Sequence, residues 1–268
     1  MNQNGLAILD SMDPSKPFFL WLHYMEPHDP YFASDGTSIA RVSTPHPTPD
    51  MASKMQSAYQ EDVGRFDAAF RSLLDELKKR NLDNVAIVLT SDHGEEFNEH
   101  GGFYHGVTLY EEQLKLPLLI KTQSQQSGVR TDLARQIDIA PTIAGMLGLT
   151  APAEWEGRDL LSNSLPPSHT IAEEDHQGNI LRSIRLSSSP KLKLILANEE
   201  NPRGLSPIEY YDLDQDPREK TPLEKDITPL QTALTKQQHA SQQGGVLPQQ
   251  RDLDPEAEAE LRSLGYIE

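Results

Sequence analysis

Cysteine is absent from the 268 residues. That excludes disulfides, a thiolate metal site and a thiol nucleophile, and it leaves the redox compartment unreadable from cysteine usage. Positive charge is scarce: 24 Lys and Arg stand against 41 Asp and Glu, a net charge of -17, which argues against a nucleic-acid or anionic-membrane surface. An anionic substrate would need local cationic help. No apolar stretch approaches the roughly 20 residues needed to cross a bilayer, so no membrane span is expected. Met1 to Asp10 is too polar for a signal peptide. No internal repeat is present, and the length suits one large domain or a core domain with a smaller one attached.

The chain is organised around Val85 to Pro117, VAIVLTSDHGEEFNEHGGFYHGVTLYEEQLKLP. Val85 to Leu89 is a short β-branched apolar run of the kind that forms a buried parallel strand, and it breaks into Ser91-Asp92-His93-Gly94. Ligands in open α/β sheets bind beyond the carboxyl ends of strands, so Asp92 and His93 stand where chemistry is expected. A hard carboxylate beside an imidazole, with Gly94 allowing a sharp turn, suits a divalent cation. The alternative is a capped turn. His105 precedes a helix start that Thr108 and Glu111 would close as a capping box, and the positive end of that helix favours anions nearby.

Upstream, Pro17 to His23 (PFFLWLH) reads as a central strand. His23 at its end is a candidate substrate contact, with plain packing as the alternative. His28 sits between Pro27 and Pro30 on a stiff loop, where an imidazole can donate to an anionic oxygen or protonate a leaving group. Ser57 to Arg80 is an amphipathic helix, with Tyr59, Val63, Phe66, Phe70, Leu73, Leu74 and Leu77 on one face. Leu116 to Lys121 reads as another strand and Ile137 to Leu147 as a helix with Pro141 in its first turns. Helix followed by buried strand is the unit of a doubly wound α/β sheet.

After about Thr150 the character changes. Segments 169–173, 180–186, 192–197 and 208–213 predict a four-stranded antiparallel meander. Thr235 to Gln250 reads as a mobile connection, and Asp254 to Leu264 as a closing helix. The expected division is 1–150 for an α/β catalytic domain and 151–268 for a smaller α+β domain.

Five segments in order, PFFLWLHYMEPHDPY, TSDHGEEFNEHGGFYHGVTLYEEQLKLPLLI, IDIAPTIAGMLGL with Trp155 to Leu160, YYDLDQDPREKTPL and LRSLGYIE, resemble the sulfatase family of the alkaline phosphatase superfamily. The resemblance implies an α/β core, a small C-terminal domain with a four-stranded antiparallel sheet and a closing helix, and hydrolysis of a small-molecule or saccharide sulfate ester. It also implies a divalent metal, calcium first, held in part by Asp92 and His93, with His28 and His105 as catalytic and substrate-binding residues. His105 falls where many members carry a sulfate-binding lysine. The family's formylglycine comes from a Cys or Ser in a Ser/Cys-x-Pro-x-Arg motif that the resemblance does not place here. The chain is therefore expected to be a C-terminal portion without the front strands and nucleophile, inactive alone, with formylglycine only in the missing part. An intact parent is expected in the periplasm or outside the cell. Two other readings stay open: a phosphodiesterase or phosphonate monoester hydrolase of the same superfamily, and a non-catalytic remnant acting as a binding module.

Overall fold

The structure, a computed structural model, describes residues 1–13, 15–123, 127–162, 169–176 and 178–244. Met1–Ile227 forms one compact unit and Thr228–Glu268 a second.

A run of strong helix formers without proline produces α2, Ala52–Lys79, which a 3-10 turn at Pro49–Met51 leads into. It begins five residues ahead of the expected start and ends on Lys78 and Lys79, which suit the negative end of its dipole. Met55, Ala58, Asp62, Leu73 and Leu77 line the buried face, whereas Val63 and Leu74, expected there, are exposed. Asp62 is the one charged member of that stripe. Its Oδ2 accepts the Phe32 amide at 2.9 Å, and its other oxygen is held by Arg65, so the buried carboxylate has the donors it needs. Through it the helix carries β1 (Tyr31–Phe32), which pairs with β2 (Ser38–Ile39). Tyr31, Ile39, Met55, Ala58, Phe97 and Tyr104 form the core at this end.

Val85 to Leu89 enters β3, Ile87–Thr90, which pairs antiparallel with β6, Leu118–Lys121. The expected parallel pairing is therefore corrected. The chain returns through β4 (Glu96–Phe97), β5 (Phe103–Tyr104) and α3 (Glu111–Leu114), and β6 runs back against β3 with Thr90 opposite Leu118 and Ile87 opposite Lys121. Residues 17–23 form no strand either. Burial alternates along them as in a strand, with Leu20, Leu22 and Tyr24 partly covered and Phe19 and Trp21 62% and 75% exposed. No neighbour among the described residues supplies the hydrogen-bonded ladder. The covered side instead meets helices: Leu22 lies against Gly5 of α1 (Asn2–Ser11), and Tyr24 packs edge-on to Phe66 at 5.1 Å.

α4 (Ile139–Met146) carries Pro141 in its first turn, as the sequence suggests. The C-terminal part of the first unit is the expected meander: β7 (His169–His176), β8 (Asn179–Leu186), β9 (Leu192–Ala197) and β10 (Ile208–Asp212), antiparallel in the order β10-β9-β8-β7. Ile184 opposes Leu194, and Leu194 opposes Tyr210. All three are buried, so cross-strand apolar pairs fix the register. Lys193, next to Leu194 on β9, is buried as well and pairs with Glu219 at 2.7 Å and Glu111 at 3.2 Å. The α/β fold thus ends, as expected, in a four-stranded antiparallel sheet followed by a helix, α5, Thr228–Gly244. That helix replaces most of the expected mobile connection. The helix expected at 254–264 lies outside the described residues.

Candidate active site

Three of the imidazoles singled out in the sequence come together. The His93 and His105 rings stack with centroids 3.8 Å apart, and His28 stands 5.4 Å from His105. His28 is carried by a turn in which its amide bonds the Met25 carbonyl at 2.6 Å, and both flanking prolines follow cis peptide bonds. The same turn is tied to the next loop, because Asp29 Oδ2 accepts the Arg41 amide at 2.7 Å while the Arg41 guanidinium lies 5.4 Å over the Tyr104 ring. His93 follows β3 directly. Its neighbour Gly94 is required by close approach: a Cβ there would collide with the Glu112 carbonyl oxygen, where the Gly94 and Glu95 amides bond the Gln113 and Glu112 carbonyls at 2.8 and 3.0 Å. Gly94 does not make the sharp turn expected of it.

The ring nitrogens are oriented. His28 Nδ1 lies 2.7 Å from the Asp29 carbonyl oxygen, His93 Nδ1 2.8 Å from the Gly94 carbonyl oxygen and His105 Nδ1 3.1 Å from Glu95 Oε1. Carbonyl oxygens only accept, so Nδ1 carries a proton in His28 and His93, and His93 Nε2 lies 3.7 Å from Asp92 Oδ2. Asp92 is more open, its side chain 61% exposed. Partial burial pushes its carboxyl up, but neighbouring His93, backbone donors and His23 outweigh that and hold it below the usual carboxylate range. His23, on the exposed side of residues 17–23, thus reaches the cluster through its field on Asp92.

Sequence reasoning passed over Glu95 and Tyr31. Glu95 is buried, and Oε2 accepts the Tyr31 hydroxyl at 2.8 Å. It follows the Asp92-His93-Gly94 triplet directly, and that adjacency is its only signal in the sequence. Glu174 on β7 was also passed over; burial raises its carboxyl, and His105 is among the groups that act on it.

Below the imidazoles the loop is braced by Glu96, whose carboxylate accepts from the Gly102 amide at 2.8 Å, the His100 amide at 3.2 Å and Arg203 Nη2 at 3.2 Å. Gly102 leaves room for that guanidinium, since a Cβ would overlap it. His100 stacks on Tyr110 with centroids 3.6 Å apart, its Nδ1 2.5 Å from Glu112 Oε1 and its Nε2 3.0 Å from the Glu219 carbonyl. The expected capping box is not formed. The α3 N-cap is Tyr110, the Thr108 hydroxyl is turned to Gln113 and Glu96, and the Glu111 amide is capped from afar by Glu219 Oε2 at 2.7 Å.

The metal expectation is corrected by the donor set. Calcium takes six to eight oxygen ligands, but Asp92 is the one carboxylate beside His93, with Oδ2 3.7 Å from Nε2, and Glu95 is turned to Tyr31 and His105. Among the described residues no group of three or more His, Cys, Asp or Glu is placed to hold a metal. No step is derived through a metal.

A cluster of oriented imidazoles and carboxylates thus stands beyond the end of a β-strand in an α/β fold. Comparison with known proteins gives the family. The family described as Sulfatase matches residues 1–149, and the chain belongs to it. It is 28% identical over 164 residues to the Endo-4-O-sulfatase of Bacteroides thetaiotaomicron, covering 55% of this chain and 32% of that protein. It is 26% identical over 234 residues to Arylsulfatase K of Rattus norvegicus, covering 82% and 40%. A solved sulfatase from glycosaminoglycan metabolism in Bacteroides thetaiotaomicron superposes with a TM-score of 0.63 at 21% identity, over 88% of this chain and 56% of that one, which shows the fold. The chain thus spans well under two thirds of the length of these relatives.

The expectation of a C-terminal portion, inactive and without its nucleophile region, is overturned. The family match occupies residues 1–149, at the front of this chain, and five solved structures cover 80% to 98% of it. Formylglycine is accordingly not assigned to a missing part, and no step is derived through it. No helix among the described residues is long and apolar enough to cross a membrane.

Proposed function

We propose that this chain hydrolyses a sulfate ester carried on a saccharide or other small molecule, at the cluster of His28, His93 and His105. The observation that carries the reading is the convergence of these three rings, each tied at Nδ1, in a member of the sulfatase family. Relatives named for sulfated saccharides, an endo-4-O-sulfatase and a 2-O GAG sulfatase among them, support the substrate class.

Hydrolysis adds water across the ester bond: the oxygen of water bonds to sulfur, the ester S–O bond breaks, the leaving alkoxide takes up a proton, and charge spreads over the sulfuryl oxygens. Donors aimed at those atoms in a partly dry site lower the barrier more than the same donors in water. His28, its ring fixed by the Asp29 carbonyl, protonates the leaving oxygen in its imidazolium form, from the second proton carried on Nε2. His105, when Nε2 also carries a proton, donates from it to the sulfuryl oxygens while Nδ1–H stays on Glu95, and His23 and Arg41 lie at the margin. On a protein of net charge -17 this local set supplies the attraction that the surface lacks.

The test is turnover of 4-nitrophenyl sulfate and of a sulfated disaccharide by the purified 268-residue protein. His28→Ala and His105→Ala should each lower kcat by about 10²–10⁴. Turnover of a phosphate diester with no turnover of either sulfate would sink the proposal.

A further inference from the structure

We propose that Glu95 and Tyr31 are positioning residues that fix the ring of His105, so that Nδ1 is always the donor and Nε2 is the atom presented to the substrate. This rests on the reading of the imidazole cluster as a sulfate-ester site. The side chain of Glu95 is 4% exposed and carries two separate contacts: Oε2 takes the Tyr31 hydroxyl at 2.8 Å and Oε1 takes His105 Nδ1 at 3.1 Å. A carboxylate so enclosed is costly unless donors meet its oxygens. Here each oxygen has one. Turning the imidazole over about its bond to Cβ would remove the Nδ1 donor from Glu95, so the carboxylate selects one tautomer and one ring face.

The pairing differs from those of His28 and His93, which lean on main-chain carbonyls of their own turns. The carboxylate on His105 comes from ten residues away and is itself anchored. Tyr31 is fully buried, with its ring 5.9 Å from those of Tyr59 and Phe97 and 6.4 Å from that of Tyr104. Burial, reinforced by Glu95, pushes its phenol far above the ordinary range, so it stays a donor. An aromatic box drawn from α2, the first hairpin, β4 and β5 therefore sets the direction of the imidazole that follows β5. His105 in turn stacks on His93, and a misdirected ring would disturb both.

The experiment is long-range ¹H–¹⁵N correlation of the histidine rings at one fixed pH, in the whole protein and in Glu95→Gln, Glu95→Ala and Tyr31→Phe. The expected result is a single Nδ1–H tautomer for His105 in the parent, a mixture of both tautomers in Glu95→Ala, and intermediate behaviour in Tyr31→Phe. A majority Nε2–H form in the parent, or unchanged His105 signals in Glu95→Ala and Tyr31→Phe, overturns the proposal. If Glu95→Ala does not fold, Tyr31→Phe and Glu95→Gln decide it. Where the parent turns over an aryl sulfate, Glu95→Ala, or Glu95→Gln if Ala does not fold, should lower kcat about 10–100-fold with KM within about twofold. A purely packing role would shift Tm and leave the tautomer alone. Absence of turnover in the parent would count against the sulfate-ester reading, while the ring signals would still decide the positioning role.

Discussion

In the sheet β7–β10 the cross-strand run Ile184–Leu194–Tyr210 is buried and apolar, although Ser183, Lys193 and Glu209 are buried in the same sheet. In the loop from Ser91 to Leu114 the buried positions include Glu95, Glu96, Thr108 and Gln113. That apolar run is held by area removed from water, which is non-directional and tolerant of small changes. The loop is held by donors and acceptors that must meet at fixed distances, and a buried acceptor that loses its donor is left with the cost of its own desolvation. A loop that carries oriented imidazoles gains from the second arrangement, because hydrogen bonds specify ring direction and packing alone does not.

The largest expected effect comes from breaking the loop's brace. Arg203→Met leaves Glu96 buried with no cation beside it; removing one partner of a buried pair costs about 3–5 kcal/mol. Thermal melts should show the loss, and hydrogen exchange should rise first at residues 96–103, with β8 and β9 still protected. Equal loss of protection in loop and sheet would mean that the two are not separately held. A smaller effect is expected in the sheet: Ile184→Val removes one methylene from an apolar pair and should cost about 0.5–1.5 kcal/mol, read from urea unfolding. A cost beyond about 3 kcal/mol would show that the sheet is no more tolerant than the loop.

The smallest effect is a change with pH. Burial pushes the His100 imidazole down, but the Glu112 carboxylate at Nδ1, supported by the Glu219 carbonyl, outweighs it and holds the ring above its ordinary value. A base raised in the folded state contributes stability that is fully present below its unfolded pKa, about 6.5, and that is lost as pH rises through the folded one. The stability difference between the parent and His100→Gln should therefore be largest below pH 6.5 and shrink above it. A difference that grows with pH would show that the ring is buried neutral.

Legibility followed the same division. The four strands of the meander and α2 were readable because apolar residues recur at two or at three and four positions, and burial of those faces needs only neighbours of the right character. The imidazoles were readable as residue types at the ends of apolar runs, and three of them do converge. Thr108 misled, because its hydroxyl had a choice between a helix end and the side chains of Gln113 and Glu96, and tertiary contacts decided it. Residues 17–23 misled for a related reason: alternation gives a strand its two faces, but a strand also needs a partner backbone. Glu95 and Tyr31 were invisible, since a hydrogen bond between residues 64 positions apart leaves no periodicity.

Gly102 shows how far such contacts reach into the rules of substitution. Its missing side chain is the space in which the Arg203 guanidinium stands beside Glu96. A methyl group at this position would displace a charge without touching either charged residue. The position therefore behaves, for any sequence that drifts or is redesigned, as a third member of the ion pair: neutral, without a hydrogen-bonding side chain, and as intolerant of exchange as the two it separates.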